Sequence, residues 1–286
     1  MAVRVSVVVG SNGARGSVDA CLSALAPQAS DAEVIVCEPE ASDDTVQARY
    51  PFARFLERKD ALVPELWRDG IDASTGEVVC LTISVMRPRD DWLATARRLL
   101  AEAAAVGGAL EPGEGLRLRD WAEYFCRYAR DMLPFVPRET AELPGDNAAY
   151  TRVALERTRT IYRGGFWEPD VNRALREGGE RLLHSPDLVC YQGRSSGFRA
   201  FMRQRLVHGR AYGSQRGARF STGRNVAGVV LAVVVPAVLL VRTFREVFSR
   251  RRLRLRLVLC LPALAAYDVA WAAGEAAGHL DSLRGR

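Results

Sequence analysis

Short, almost wholly apolar runs rich in β-branched residues most constrain what this chain can fold into. Val3–Val9 reads VRVSVVV, Glu33–Cys37 reads EVIVC and Glu77–Thr82 reads EVVCLT. A strand that is buried on both faces is apolar throughout, whereas a strand with one solvated face alternates apolar and polar residues. Stretches with helical spacing, such as Ser17–Ala26 and Pro64–Thr75, separate these runs. The alternation predicts an α/β fold with a mostly parallel, Rossmann-like sheet flanked by helices.

The same patterns place the remaining elements and a site. Further strands are predicted at 52–56, 106–110 and 188–192, and further helices at 91–105, 119–130 and 164–176. Ligands of open parallel sheets bind beyond the carboxyl ends of the strands. The loops after Val9, Cys37 and Leu81 are therefore expected to line the site.

The character of the sequence changes after Phe198. From Arg199 to Arg256 there are 14 arginines and a single acidic residue, Glu246. Two apolar stretches, 225–241 and 257–274, accompany this basic region, and a membrane span needs roughly 17 to 25 such residues. We therefore predict an α/β domain at 1–198 and, at 199–286, a basic linker with C-terminal membrane-associated helices.

Three arrangements of the two apolar stretches stay open. Two full spans would place the basic 242–256 loop outside, against the positive-inside tendency. A re-entrant or interfacial hairpin avoids this conflict, with arginine heads at the phosphate layer. In the third arrangement the helices are soluble and form the core of a homo-oligomer. The N-terminus enters a strand without a signal peptide, so we expect the α/β domain on the cytoplasmic side of the cell membrane.

Other partners are disfavoured by what the sequence lacks. It has no aromatic–basic binding motif and no helix-turn-helix pattern, so nucleic acid is not an expected partner. The six cysteines form no CxxC pair and the three histidines are far apart, which predicts buried free thiols and no His/Cys metal site.

An ordered set of segments resembles the family 2 glycosyltransferases of GT-A fold. In chain order these segments are VSVVVGSN, EVIVCEPEASDDT, GIDASTGEVVCLT, RPRDDWL, LPGDNAAY and GGFWEP, and the resemblance covers about residues 3–192. It implies that a nucleotide-diphosphate sugar binds the N-terminal half. It also implies that an acceptor hydroxyl attacks the anomeric carbon with inversion, helped by a carboxylate base.

The resemblance implies a nucleotide-sugar site composed of Gly10, Ser11, Asn12, Glu38, Thr82 and Ser84. Glycine lets backbone approach a ligand closely, and Glu38 keeps a carboxylate where the family binds the base and ribose. The first loop lacks the proline that the family usually has near Gly10. An ordinary strand-to-helix turn is the structural alternative for the first loop. For Asp43 and Thr45 in the second loop, the alternative is capping of the helix that follows that loop.

The loop after the third predicted strand departs from the family. Thr82-Ile83-Ser84 stands where the family has its Asp-x-Asp motif, whose carboxylates bind Mg²⁺ or Mn²⁺. Asp90 and Asp91 lie too far along the chain to replace it. Three explanations stay open: a metal-independent enzyme in which Arg87 or Arg89 neutralises phosphate, a metal held by fewer protein ligands, or an inactive relative.

The second half of the chain supplies the implied acceptor side. Glu168 takes the position of the family's base, with Asp170 as the alternative, and a neighbouring tryptophan favours a raised carboxyl pKa. Asp146, Asn147 and Trp167 are implied acceptor-binding residues. The structural alternatives are helix capping for Glu168 and ordinary turn chemistry for 146–147.

A last set of candidates lies in the basic segment. Arg203, Arg205 and Arg210 are implied ligands of the donor diphosphate or of a lipid phosphate, and plain surface solvation is the alternative. The predicted function is inverting transfer of a sugar from a nucleotide donor to a lipid-linked or polysaccharide acceptor, in envelope or exopolysaccharide assembly. The competing hypothesis is an inactive membrane scaffold that binds a nucleotide or a partner enzyme.

Overall fold

The structure is a computed structural model of the 286-residue chain, and it describes residues 3–11, 13, 16–40, 44–193 and 197–284. The chain forms two compact units. The first, here called the sheet unit, comprises residues 1–114 and 131–193. The second, the helical unit, comprises residues 115–130 and 194–286. The sequence-based division at residue 198 assigned 115–130 to the first domain, whereas the contacts group this segment with the C-terminal helices.

All the described strands belong to the sheet unit. They are β1 Val5–Gly10, β2 Ala32–Glu38, β3 Ala53–Glu57, β4 Val78–Ile83, β5 Met86–Pro88, β6 Ala105–Pro112, β7 Arg138–Glu139, β8 Asn147–Thr151 and β9 Leu182–Gln192. They form one sheet in the order β3-β2-β1-β4-β8-β6-β9-β5, and β7 pairs with β9.

The described α-helices fall in both units. Those of the sheet unit are α1 Ser17–Leu25, α2 Asp44–Arg49, α3 Val63–Ala73, α4 Trp92–Leu99, α6 Arg152–Arg157 and α7 Glu168–Glu177. Those of the helical unit are α5 Leu118–Tyr128, α8 Phe198–Arg219, α9 Thr222–Leu231, α10 Val235–Ser249 and α11 Arg254–Arg284. The helix predicted over 91–105 ends earlier, at Leu99, and β6 already begins at Ala105.

The predicted α/β fold is confirmed, but the sheet is mixed rather than mostly parallel, since the described strands form four parallel and four antiparallel pairings. Strands β3, β2, β1 and β4 are parallel neighbours, and β6 is parallel to β9. Strand β8 inserts antiparallel between β4 and β6. The side chains of Val7, Val8 and Val9 are fully buried, as expected for a strand covered on both faces.

Within the helical unit, α8 and α11 pack backbone against backbone. A Cβ added at Gly213 would lie 3.0 Å from the Cα of Glu275, and one added at Gly274 would lie 2.9 Å from the backbone nitrogen of Arg210. Glycine at these positions lets the two helices approach this closely, which larger side chains would prevent.

The apolar stretches near the C-terminus adopt two different forms. Helix α11 is long and apolar enough to cross a membrane, although it contains Pro262. Helices α9 and α10 meet at a break of a few residues and are bent by 64° relative to each other. Together they pass the same test of length and composition. Pro236, in the first turn of α10, lies next to this bend. The membrane-associated hairpin stays a prediction, and the bend is compatible with either a broken span or a re-entrant form.

Candidate functional site

The carboxyl ends of three parallel strands meet at one edge of the sheet. The backbone N–H of Ser84, just after β4, donates to the carbonyl oxygen of Gly10 at 3.0 Å. The N–H of Ser11 donates to the carbonyl oxygen of Cys37 in β2 at 2.8 Å. The loops that the sequence predicted to line a site are therefore directly connected.

Trp67 of α3 joins this edge to the helix layer. Its indole Nε1 donates to the carbonyl oxygen of Thr82 at 2.8 Å. A Cβ added at Gly10 would lie only 3.1 Å from the same Nε1, so glycine is the residue that lets the end of β1 approach the indole. The Phe166 ring packs edge-on against Trp67 with a centroid separation of 6.5 Å. The sequence analysis missed Trp67, because a tryptophan on the apolar face of a helix carries no signal beyond burial.

The predicted nucleotide-binding residues cluster here. Ser11 and Glu38 are buried, at 5% and 4% exposure, at the ends of β1 and β2. The backbone of Glu38 is held by the N–H of Arg58, which donates to its carbonyl oxygen at 2.8 Å. Asn12 lies outside the described residues. The structure thus brings Gly10, Ser11 and Glu38 together, as the resemblance implies.

Thr82 and Ser84 do not fit a divalent metal. The Thr82 hydroxyl donates to the carbonyl oxygen of Asp146 at 2.9 Å, and the Ser84 hydroxyl accepts from that of Ser17 at 2.8 Å. Both side chains are at most 1% exposed. Hard divalent ions prefer carboxylate oxygens, and neutral hydroxyls already engaged with protein are poor substitutes. Among the described residues no group of three or more His, Cys, Asp and Glu side chains is suited to hold a metal.

Glu168, the predicted base, packs against the turn before β8. A Cβ added at Gly145 would lie 2.5 Å from Glu168 Cγ and 2.6 Å from Cδ. Burial raises the pKa of the Tyr150 phenol far above its usual range, and the charge of Glu168 adds to this shift, so the carboxylate lies near β8. The backbone of Asp146 is tied to Thr82, so Gly145–Asp146 connects Glu168 with the end of β4.

The segment that leads into Glu168 is anchored from two sides. The N–H of Phe166 donates to the carbonyl oxygen of Pro64 in α3 at 2.7 Å. Trp167 then takes the N-cap position of α7, and Glu168 is the first residue of that helix. Glu168 thus begins a helix, as the structural alternative predicted, and its side chain also lies beside Gly145.

Asp170, the alternative base, is paired with an arginine of its own helix. Its carboxylate forms an ion pair with Arg173 one turn later, and its side chain is 13% exposed. Asp170 stays the alternative to Glu168 as the predicted base.

Asn147 is embedded in the fold. Its Nδ2 donates to the carbonyl oxygens of Ala109 at 2.8 Å and Leu188 at 2.9 Å, and its Oδ1 accepts from Trp92 Nε1 at 2.7 Å. The side chain is fully buried. The neighbouring Asp146 is 7% exposed. The Asn147 side chain therefore has a structural role, and acceptor binding by Asp146 stays a prediction.

The predicted phosphate-binding arginines all lie on α8 of the helical unit. The Arg205 guanidinium lies over the Trp271 ring, 4.3 Å from its centroid, and 3.8 Å from Asp268. Arg210 pairs with Asp281 at 2.6 Å, and Arg203 is exposed. Their assignment to a phosphate stays a prediction.

No protein-family model and no curated protein match the sequence. Among solved structures, the chain is similar to a mannosyltransferase from Pyrobaculum calidifontis in complex with GDP-Man and Mn²⁺, with a TM-score of 0.56 and 18% identity over 96% of this chain and 87% of that one. It is also similar to GalNAc-T7 with UDP, GalNAc and Mn²⁺, with a TM-score of 0.50 and 10% identity over 68% of this chain and 43% of that one.

The chain has the GT-A fold. At these identities the likeness concerns the fold alone. Gly10, Glu38 and Thr82 lie at the carboxyl ends of the central parallel strands, and Glu168 begins α7. Ligands of open α/β sheets bind at this end of the strands.

Proposed function

We propose that this GT-A protein is an inverting glycosyltransferase that transfers a sugar from a nucleotide-diphosphate donor to a membrane-linked acceptor. The observation that carries the proposal is the convergence of Gly10, Glu38 and Glu168 on one edge of the sheet. The GT-A fold and the two nucleotide-bound neighbours support the donor class. The segments that resemble family 2 support an assignment to that family and to envelope or exopolysaccharide assembly.

Each loop has a role in the proposed reaction. The backbone at Gly10–Ser11 and the Glu38 carboxylate hold the nucleotide, and Asp146 and Trp167 position the acceptor. Glu168 removes the proton from the acceptor hydroxyl as its oxygen bonds to the anomeric carbon from the face opposite the leaving group. The bond from that carbon to the diphosphate oxygen breaks, and its electron pair leaves with the nucleoside diphosphate.

The helical unit supplies the proposed membrane contact. Val233 at the α9–α10 bend is 83% exposed, and Val230 and Val238 in the flanking helices are more than 60% exposed. Arginines follow at Arg242 and Arg245 in α10. Apolar side chains beside arginines suit an anionic bilayer surface, with the apolar part in the acyl region and the guanidinium groups at the phosphates. We place the sheet unit on the cytoplasmic side, and Arg203, Arg205 and Arg210 stay candidates for a lipid phosphate.

A donor screen tests the proposal. Membranes containing the full chain are incubated with UDP-, GDP- and TDP-sugars, and products are identified by mass spectrometry. We expect turnover with one donor and a loss of about 10²- to 10⁴-fold for Glu168→Gln, because proton transfer by a placed side chain contributes about that factor. Asp170→Asn is the matched control and is expected to keep most of the activity. Equal activity of Glu168→Gln and the unsubstituted chain would disprove the assignment of the base.

The second candidate function is an inactive scaffold, and the hydroxyls of Thr82 and Ser84 in place of carboxylates favour it. A scaffold binds a nucleotide or a partner enzyme without turnover. Nucleotide binding together with the absence of product for every donor in the screen would support the scaffold.

A further inference from the structure

The absence of carboxylates after β4 leaves a charge to be neutralised. In the proposed reaction the leaving nucleoside diphosphate gains negative charge as its bond to the sugar breaks. Catalytic sites stabilise such developing charge with preorganised cations or hydrogen-bond donors. The hydroxyls of Thr82 and Ser84 are buried and bonded to protein groups, so they hold neither a metal nor the phosphate.

Arg87 is a cation that follows this position closely in the chain. It is the central residue of β5, three residues after Ser84, and its side chain is exposed while Met86 and Pro88 on either side are buried. Strand β5 pairs with the end of β9, which sets Arg87 opposite Tyr191. A Cβ added at Gly193 would lie 3.8 Å from Arg87 Nε and Nη2, so the guanidinium lies along the backbone there.

The turn between Ser84 and Arg87 is held by the backbone. The N–H of Gly193 donates to the carbonyl oxygen of Val85 at 2.7 Å, and the N–H of Ser84 donates to that of Gly10 at 3.0 Å. Arg87 therefore follows, by two residues, a turn that is hydrogen-bonded to both Gly10 and Gly193. In the described part of the chain, no ion pair involves its guanidinium.

Arg89, two residues later, is differently placed. Its Nε and Nη2 donate to the two carboxylate oxygens of Asp91 at 2.6 and 2.8 Å, and Nη2 also donates to the carbonyl oxygen of Asp187. This bidentate pairing neutralises the guanidinium and directs its donors away from a ligand. Of the two arginines, only Arg87 offers an uncompensated positive charge.

We propose that this site binds the donor diphosphate without a divalent cation, and that the Arg87 guanidinium takes the place of the metal. The inference rests on the proposed function, since it concerns the diphosphate of that donor. A guanidinium presents two parallel N–H donors that match two phosphate oxygens, and its charge persists at any physiological pH.

Titration calorimetry on the full chain in detergent tests this, with UDP, GDP, CDP, TDP and ADP as probes, in EDTA and in Mn²⁺. We expect one nucleotide to bind in EDTA with an affinity within about twofold of that in Mn²⁺. Arg87→Ala and Arg87→Gln should each weaken it by about 10- to 100-fold, the usual effect of losing hydrogen bonds to a charged group. Arg89→Ala is the matched control and should change the affinity less than about threefold. Circular dichroism verifies that each variant is folded. If Arg87→Ala is not folded, Arg87→Gln serves in its place, since it removes the charge but keeps a longer polar side chain.

The outcomes separate the two proposals. Binding that requires Mn²⁺ overturns the inference and leaves the glycosyltransferase proposal intact. Binding in EDTA that Arg87→Gln does not weaken also overturns the inference, as does equal weakening by Arg89→Ala. Absence of binding for every nucleotide, with and without Mn²⁺, overturns both proposals.

Discussion

Replacing Gly145 by alanine should displace the Glu168 carboxylate while leaving the fold intact. Gly145 has no positive φ, so alanine fits its backbone conformation. The added Cβ would lie 2.5 Å from Glu168 Cγ and 2.6 Å from Cδ, whereas ordinary contacts of a Cβ begin near 3.4 Å. The glutamate is a flexible side chain at the first position of α7, so it is expected to move rather than the backbone of the turn.

The size of the effect follows from the overlap. The difference between 2.5 and 3.4 Å requires a shift of about 1 Å, and a catalytic group misplaced by about 1 Å costs about 100-fold in rate. We therefore expect kcat to fall about 100-fold, equivalent to about 2.7 kcal/mol of transition-state stabilisation. The KM for the donor should change little, because the nucleotide contacts at Gly10 and Glu38 do not involve Gly145.

Steady-state kinetics with the donor found in the screen give the measurement. Gly164→Ala is the matched control, since a Cβ at Gly164 meets nothing within 4 Å. In the Glu168→Gln background, Gly145→Ala should have almost no further effect, because both substitutions remove the same function. The reasoning is refuted if Gly145→Ala keeps kcat within about threefold of the unsubstituted chain, or if its effect persists undiminished in the Glu168→Gln background.

Three further outcomes are expected. Asn147→Ala should lower the free energy of unfolding by about 3–5 kcal/mol in urea denaturation, because three buried partners lose their hydrogen bonds; a loss below about 1 kcal/mol would contradict this structural role. Val233→Glu should weaken flotation of the chain with anionic vesicles, because it places a charge at the proposed membrane contact. The control Val136→Glu, at a similarly exposed valine of the sheet unit, should not weaken flotation. Equal behaviour of the two variants would remove the support for membrane contact at the bend. Burial raises the pKa of the Cys21, Cys37 and Cys80 thiols from 9.0 to about 12. The stability that these protonated thiols contribute is therefore fully present below pH 9 and is lost as the pH rises towards 12, by up to about 1.4 kcal/mol per pH unit and thiol. Urea denaturation between pH 7 and 11 that shows no such decline would contradict the burial of the three thiols.

The sequence predicted the central strands well because their signal is local. A run such as Val5–Gly10 is apolar on both faces, and only a strand in the middle of a covered sheet satisfies that pattern. The parallel order and the position of the site at the carboxyl ends then follow from general rules for α/β sheets. The presence of hydroxyls rather than carboxylates at Thr82 and Ser84 is likewise visible in the sequence alone.

Other features depended on contacts between residues far apart in the chain. Strand β8 inserts antiparallel between β4 and β6, although its own segment, Asn147–Thr151, has no pattern that specifies a partner. The segment 115–130 groups with the C-terminal helices, which its helical periodicity does not indicate. Periodicity specifies the type of an element, whereas its neighbours are selected by packing across the whole unit.

The sequence by itself determined the strands of the central sheet, the change to a basic and apolar C-terminal region, and the absence of carboxylates at 82–84, because each is a property of consecutive residues. Only the tertiary structure decided which side chains of the same type are paired, buried or exposed. It pairs Arg89 with Asp91 while leaving Arg87 exposed, buries Asn147 among three partners, and sets Glu168 against Gly145. The physical reason is that charge compensation and hydrogen bonding depend on which atoms lie within about 3–4 Å, and folding alone sets those distances.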